Sequence, residues 1–487
     1  MSQKNCFLKY ILYALIFLKI DLYSKSTENL FLSPEEISQF IEENKQEELY
    51  LLNAHECPAD IRSIHPKKPW TFIVYIAGDN DLNFFAWKNL KQMELIGSNN
   101  NINIIAQLNN LGSAPTKRYV IKKDKRTLVQ DQSLTNQKLN SGSYKTLIDC
   151  VQWAVTNYPA ENYALILWNH GTGAIDPHFG KTINPCELFY LNPTENKLEI
   201  DRGTSYLALI CNEIQRHVKI NNKRGICFDD SFKSYITNHD LELALHQITH
   251  TILQGKKLSL IGFDACLMSM IEVSSICKNY ADFFVGSQEL EYGAGWKYDE
   301  VLKPFLEKTL SPYSFAQHIV KSYEIAYQKF INDYTLSALD LQFNSALEKN
   351  IDIVSQLLTK ALIDQENRSV SDILRKCKSI QYCTCFDEPS YIDLGHFYDN
   401  IMQHIPYIKL KNKALESEIK LQLSSLIKEG KTIFKNLIIE NKVGSKLKNA
   451  QGVSIYFPEY SININYTKSP FALKNNWLSL LLKYIKD

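Results

Sequence analysis

Two short apolar runs in this chain each stop abruptly at a residue able to do chemistry. Ala164-Leu165-Ile166-Leu167-Trp168 runs into Asn169-His170-Gly171, and Leu258-Ser259-Leu260-Ile261-Gly262-Phe263 runs into Asp264-Ala265-Cys266. In an open α/β sheet, ligands bind outside the carboxyl ends of the strands. A histidine and a cysteine distant in sequence are therefore expected at one sheet edge. The pair reads as a cysteine nucleophile with a histidine acid/base. A thiol must ionise to attack, and Cys266 is expected at a strand-to-helix turn where unpaired N–H groups and the helix dipole favour the thiolate. The backbone N–H groups of Gly171 and Cys266 are candidates for an oxyanion hole. The plainer reading makes Cys266 a buried small hydrophobe and His170 an ordinary loop residue.

The elements that would position this pair follow from periodicity. Trp70–Ala77 is a β-rich run ended by Gly78-Asp79-Asn80-Asp81, and apolar spacing gives a helix over Leu82–Ile96 and a strand over Ile102–Leu108. A helix is expected over Ser143–Tyr158, then the His170 strand, a small strand at Ile226–Phe228, and a helix from Asp240 to Leu253 capped by Asn238. Beyond the Cys266 strand, a helix is expected over Leu267–Ile276 and a strand over Phe283–Ser287. Near-continuous apolar strands alternating with helices argue for a mostly parallel sheet covered by helices on both faces. From Ser311 onward the chain reads as mainly helical, with Thr335–Leu341 extended and Gly452–Pro458 returning to the sheet as a strand.

The domain reading is a leader over 1–24, an N-terminal segment and linker over 25–69, a catalytic α/β domain over 70–310 with an insert near 176–224, and a helical region over 311–487 packed on it. The leader has Lys4 and Lys9 before an apolar run from Tyr10 to Leu18, too short to span a bilayer. A cleaved signal peptide is expected, with an uncleaved anchor as the alternative and the only route to a membrane. The expected location is secreted or in the cell envelope or periplasm, and the expected state is a monomer.

The chain has 487 residues, 45% of them hydrophobic, and a formal net charge of +1, which gives ample core and no electrostatic footprint for nucleic acid. Of its 11 cysteines, Cys6 lies in the leader, and a free Cys266 leaves an odd number. No complete disulfide scheme closes, and Cys383-Thr384-Cys385 reads as ordinary thiols.

Asn169-His170-Gly171 and Gly262-Phe263-Asp264-Ala265-Cys266-Leu267-Met268 resemble the two catalytic motifs of the clostripain family of cysteine peptidases. Matching pieces follow in the family's order: Val74–Leu82, Gly225–Asp230, Gly293-Ala294-Gly295-Trp296-Lys297-Tyr298, Tyr391–Leu394 and Gly452–Pro458. The resemblance covers about residues 70 to 460. It implies the caspase-like α/β fold and a His170/Cys266 dyad in an endopeptidase acting on protein or peptide substrates, cleaving after Arg or Lys. It also implies that Asp264 lines the S1 pocket; the plainer reading, which does not exclude that role, has this carboxylate cap the helix that carries Cys266. Relatives commonly have an aspartate where this chain has Ala294, so the pocket loses a charge; Glu289 or Glu291 could compensate, or both could be solvated. The resemblance further implies a zymogen that cuts itself between His170 and Cys266. Candidate sites are Lys181, Lys197, Arg202, Lys223, Arg224 and Lys233, with Arg224 and its neighbour Lys223 favoured by an exposed polar run.

No cofactor and no metal site is implied. Calcium stimulates some relatives, but Asp79-Asn80-Asp81-Leu82-Asn83 fails as an EF-hand start, because Phe84 and Leu90 stand where glycine and glutamate are required. His178 with Cys186 is too little for zinc. Two other classes stay open: a catalytically restrained or inactive caspase-like binding protein, and a peptide acyl-transferase or ligase.

Overall fold

The computed structural model describes residues 31–32, 66–129, 137–175, 189–195, 197–200 and 225–487. The leader, the linker and most of the insert lie outside these residues. At the centre is a nine-stranded sheet. Its strands in chain order are β1 Lys68–Gly78, β2 Ile102–Asn110, β3 Lys117–Lys122, β4 Lys125–Leu128, β5 Ala160–Trp168, β6 Leu258–Asp264, β7 Ala281–Gly286, β8 Thr335–Asp340 and β9 Ile438–Val443. Across the sheet the order is β9-β8-β7-β6-β5-β1-β2-β3-β4. The middle strands β2, β1, β5, β6 and β7 are parallel, and two antiparallel strands finish each edge. Strands β1, β5 and β6 are buried on both faces over most of their length, which is why they read as unbroken apolar runs.

The strand order creates a switch point. From β1 the chain moves through the helix Asn83–Glu94 to β2 and the β3–β4 edge. The helix Tyr144–Asn157 then returns it to the other side of β1, where β5, β6 and β7 follow. Chains leaving in opposite directions open a crevice at the carboxyl ends of β1 and β5, the usual ligand position in such sheets.

Three local readings change. The helix after β6 begins at Ile271, not Leu267. Leu267 adopts a positive φ of 63°, and its N–H and that of Ser269 donate to the carbonyls of Glu289 and Ser287. Those residues are held as an extended strap beside the loop after β7, so no helix N-terminus opens at Cys266. The helix Asn238–Gln247 is capped by Thr237, whose hydroxyl accepts from the Asp240 N–H; Asn238 instead donates to the Gly173 carbonyl. The C-terminal strand is Ser454–Tyr456, and it pairs with Tyr391–Asp393 rather than with the main sheet. The strands that join the sheet from the C-terminal region are β8 and β9, and the Glu-Asn-Lys interruption of β9 suits its half-buried edge position.

The C-terminal region fixes the loops around Cys266. Ser269 donates to the Gly452 carbonyl at 2.7 Å, and Gln288 donates to Asp393 at 2.9 Å while accepting from the Gly452 N–H at 2.9 Å. Tyr456 N–H donates to Glu272, and Ser287 donates to Thr335 at the start of β8. Each such buried bond contributes about 1 kcal/mol, and leaving a buried partner unmet costs about 1–3 kcal/mol. A chain ending near residue 330 would lose β8, β9 and all of these ties, and would bare β7, where Phe284 and Val285 are fully buried. Such a truncation is expected to collect in the insoluble fraction on expression. Soluble, protease-resistant protein would refute a structural role for the C-terminal region.

Candidate active site

Register alone brings the two chemical residues level. Trp168 pairs with Asp264 across β5 and β6, and the Asn169 N–H extends the ladder by donating to the Asp264 carbonyl at 3.3 Å. His170 and Cys266 each stand two residues beyond that pair on neighbouring parallel strands. Gly171 lies against the Cys266 backbone so tightly that a Cβ there would sit 2.5 Å from the Cys266 carbonyl oxygen. Only glycine lets the two strand ends close in this way.

The end of β1 supplies a third member. His170 Nε2 and Asp81 Oδ1 are 2.6 Å apart, and both side chains are largely buried. The bond spans the switch point. Asn80 and Asn169 lock the geometry around it. Asn80 donates to the Ala77 and Phe228 carbonyls, and Asn169 donates to the same two groups and accepts from the Phe228 N–H at 2.8 Å. The Phe228 ring packs edge-on against the imidazole at 6.4 Å.

The cysteine is held differently. Its thiol sulfur accepts the Glu291 N–H at 3.2 Å, and the residue is 7% exposed. Burial pushes the thiol well above its usual range; the Glu291 N–H opposes this, while the carboxylates of Glu291, Asp387 and Glu289 add to it. In this state the sulfur keeps its proton.

Asp264 is buried under the loop after β7. Its Oδ1 accepts the Trp296 N–H at 3.0 Å and its Oδ2 accepts the Tyr298 hydroxyl at 2.8 Å. Burial raises its carboxyl to about 6 against these two hydrogen bonds and a third from the Glu291 carboxyl. Gly295, at φ 63°, passes so close that a Cβ would lie 2.7 Å from Oδ1. Asp264 therefore pins the 293–298 turn and caps no helix.

The sequence model of the clostripain family matches residues 74–183 and 212–483, most of the chain. The chain belongs to the clostripain family. Clostripain itself, from Hathewaya histolytica, is 23% identical over 256 residues, covering 47% of this chain and 41% of that protein. The chain thus spans about two fifths of the length of the curated relative it matches. A secreted C11 cysteine protease from Bacteroides thetaiotaomicron, solved with an irreversible peptide inhibitor, superimposes with a TM-score of 0.53 at 22% identity, over 84% of this chain and 99% of that one. An inactive zymogen C11 protease from Parabacteroides distasonis gives a TM-score of 0.52 at 17% identity, over 86% and 99% of the respective chains. At these identities the two structures establish the clostripain, caspase-like fold.

Within that clostripain fold, Ala294 sits half-buried at the tip of the pinned turn, its carbonyl accepting from Asn89 at 3.0 Å. Neither glutamate of the preceding loop is solvated. Glu289 is fully buried and accepts the N–H groups of Leu290 and Asp387, and Glu291 is 7% exposed. Sequence reasoning missed Asp81 as a partner of His170. Its signal was the Gly78-Asp79-Asn80-Asp81 turn ending β1, tested only as a calcium loop. Asp79 in that turn pairs with Lys138 at 2.6 Å. Among the described residues no group of three or more His, Cys, Asp or Glu is arranged to hold a metal ion. The described cysteines, Cys383 and Cys385 included, are all free thiols. Lys223, Arg224, Lys181, Arg202, His178 and Cys186 lie outside the described residues; Lys197 begins a short strand, and Lys233 lies in the turn after Ile226–Asp229.

Proposed function

We propose that the protein is a cysteine endopeptidase in which Cys266 is the nucleophile, His170 the acid/base and Asp81 the residue that orients His170. The observation that carries this reading is the level placement of His170 and Cys266 on adjacent strands, with Asp81 holding one imidazole nitrogen. With Nε2 donating to Asp81, Nδ1 is the basic nitrogen. As a peptide carbonyl docks, Nδ1 takes the thiol proton and Sγ bonds to the carbonyl carbon. The oxyanion is met by the N–H groups of Gly171 and Cys266. The C–N bond then breaks, His170 returns the proton to the leaving amine, and a thioester remains. Water, deprotonated by His170, attacks the thioester and releases the acid and the thiol.

The preferred P1 residue is arginine or lysine, because the buried carboxyl groups of Asp264, Glu289 and Glu291 near the nucleophile favour a cation. The basic, apolar leader and a solved relative described as secreted support export from the cytoplasm. A second reading, a restrained form awaiting processing in the 176–224 insert, is favoured by the protonated, Glu291-bound thiol.

The test is turnover of matched fluorogenic peptides carrying Arg, Lys, Leu or Asp at P1, under reducing conditions, with gel samples taken in parallel. Arg and Lys peptides are expected to exceed the others by about 100-fold or more in kcat/KM. A flat ranking would refute the basic preference. No turnover and no new bands would favour the restrained form. Products ligated to an added amine would move the reading toward acyl transfer.

A further inference from the structure

Past the loop after β7, a cavity of about 910 Å³ opens that the catalytic groups do not use. Part of its lining flanks the antiparallel edge strands: Asp333 lies just before β8, and Lys446 and Leu447 follow β9. Those ends of β8 and β9 pair with each other through Thr335 and Val443, and they lie at the carboxyl end of β7, where Ser337 pairs with Gly286. The cavity therefore shares the sheet edge that carries Cys266. One wall is the hairpin of Phe189–Asn192 and Lys197–Ile200, and another is the 380–385 loop. Both walls reach the loop beside the nucleophile. Phe189 packs on Tyr292 at 5.4 Å, and the Asp387 N–H donates to Glu289 at 3.0 Å.

Resting on the peptidase reading, we propose that this cavity is a substrate subsite, taking an apolar side chain of the polypeptide upstream of the scissile bond. The strand order gives the direction. His170, at the end of β5, hands its proton to the leaving amine, whereas the cavity lies past β7, on the other side of Cys266. The upstream residues, which stay on the sulfur as the thioester, run that way. Two hydrogen bonds bridge from the nucleophile to the far wall: Leu267 N–H to the Glu289 carbonyl, and Asp387 N–H to the Glu289 carboxylate, two residues from Cys385 in the lining. At about 3.3 Å of extended chain per residue, such a path takes about three to five residues of substrate, so the side chain belongs to P3, P4 or P5.

The lining selects the kind of side chain. Its charges are matched within the walls: Glu199 accepts the Tyr190 hydroxyl and the Asn192 amide, each at 2.8 Å, with Lys446 3.5 Å away, and Asp333 accepts the Ile200 N–H at 2.9 Å. What stays open is apolar. Tyr190, Ile380 and Tyr382 line the cavity and are 46%, 72% and 44% exposed. Large apolar groups gathered around one concave site mark a binding surface. A donor for the substrate backbone stands among them. The Thr384 N–H donates to His396 Nδ1 at 3.1 Å, so the ring proton sits on Nε2, which has no hydrogen-bond partner among the described residues and suits a peptide carbonyl. The walls are also set in advance: Asn400 donates to the Tyr382 carbonyl at 2.7 Å, and the Leu198 N–H to the Phe330 carbonyl at 2.6 Å. A surface ordered beforehand loses little freedom on binding.

The experiment uses octapeptides with Arg at P1 and Phe, Leu, Ser or Lys placed in turn at P3, P4 and P5. Each kcat/KM is taken relative to a short fluorogenic substrate that carries only P2 and P1. In wild type, Phe or Leu at one of the three positions is expected to exceed Ser and Lys by about 10- to 100-fold, mainly through KM. The double variant Ile380→Ser/Tyr382→Ala is expected to bring that ratio close to one. His396→Ala is expected to lower the long-over-short ratio for every octapeptide by about 10-fold, as the loss of one hydrogen bond implies. No apolar preference at any of the three positions, or a preference kept in the double variant, would overturn the inference, while turnover of the short substrate would leave the peptidase reading intact. A wild type that cleaves neither kind of substrate would remove that reading and this inference with it. Melting temperatures accompany each variant, and a fall in the ratio of long to short substrate is a result that a folding defect does not give.

Discussion

Cys266→Ala is expected to lower kcat by at least about 10⁴-fold while leaving the fold in place, because it removes the proposed nucleophile that carries the acyl intermediate. The substitution removes one sulfur atom from a site where it accepts a single N–H, so the cost in stability is of order 1 kcal/mol. His170→Ala is expected to cost about as much, and the double variant little more, since residues that act as a unit are not additive. The measurement is kcat and KM on a P1-Arg peptide for all three variants, with melting temperature alongside. Two independent, additive losses would contradict a dyad. If the chain cuts itself, Cys266→Ala should also accumulate in one piece, and comparing terminal sequences with wild type would show whether the cut falls at Lys223, Arg224 or elsewhere.

Asp81→Asn carries the second large effect. On the proposed mechanism, Asp81, at 2.6 Å from His170 Nε2, fixes which imidazole nitrogen is free and stabilises the imidazolium that forms as the thiol gives up its proton. Asparagine keeps the shape, but its amide can turn its NH₂ toward the ring and favour the other tautomer. A fall in kcat of about 10²- to 10⁴-fold is expected, the upper end set by the corresponding change in serine-protease triads. KM should move little, because Asp81 touches His170 and not the P1 space. Asp81→Ala should lose at least as much, and Asp81→Glu should recover part. An effect confined to KM, or shared equally by a conservative and a drastic change at this position, would assign Asp81 to folding instead of orientation.

The residues at the strand ends were legible because buried parallel strands leave a plain mark, an apolar run cut off by a polar residue. His170 and Cys266 follow from that mark, and so does the sheet class. Asp81 carries the same mark at the end of β1, but its pairing with His170 depends on β1 and β5 being neighbours, which only the strand order creates. The burial of Glu289 and Glu291 was left open in the sequence: charged residues in a loop are usually solvated, and nothing local says that the C-terminal region reaches this loop with the Asp387 N–H on Glu289. The helix start was misplaced for a similar reason. Leu267, Met268 and Met270 are good helix formers, and hydrogen bonds of this stretch to Ser287, Glu289 and Gly452 hold it out of the helix. β9 escaped notice because an edge strand half open to solvent lacks the apolar run that exposed the central ones.

The strand order also decides what a break in the backbone would mean. Any cut between residues 176 and 224 leaves β1, β2 and β5, with Asp81 and His170, on one polypeptide, and β6 to β9, with Cys266, on another. The seam between them would run through the middle of the sheet, where Leu260–Asp264 pair with Ala164–Trp168 and every one of these side chains is buried. Two halves joined in this way form an obligate heterodimer with its reactive centre at the subunit boundary. Neither half could act alone, and dilution would not part them.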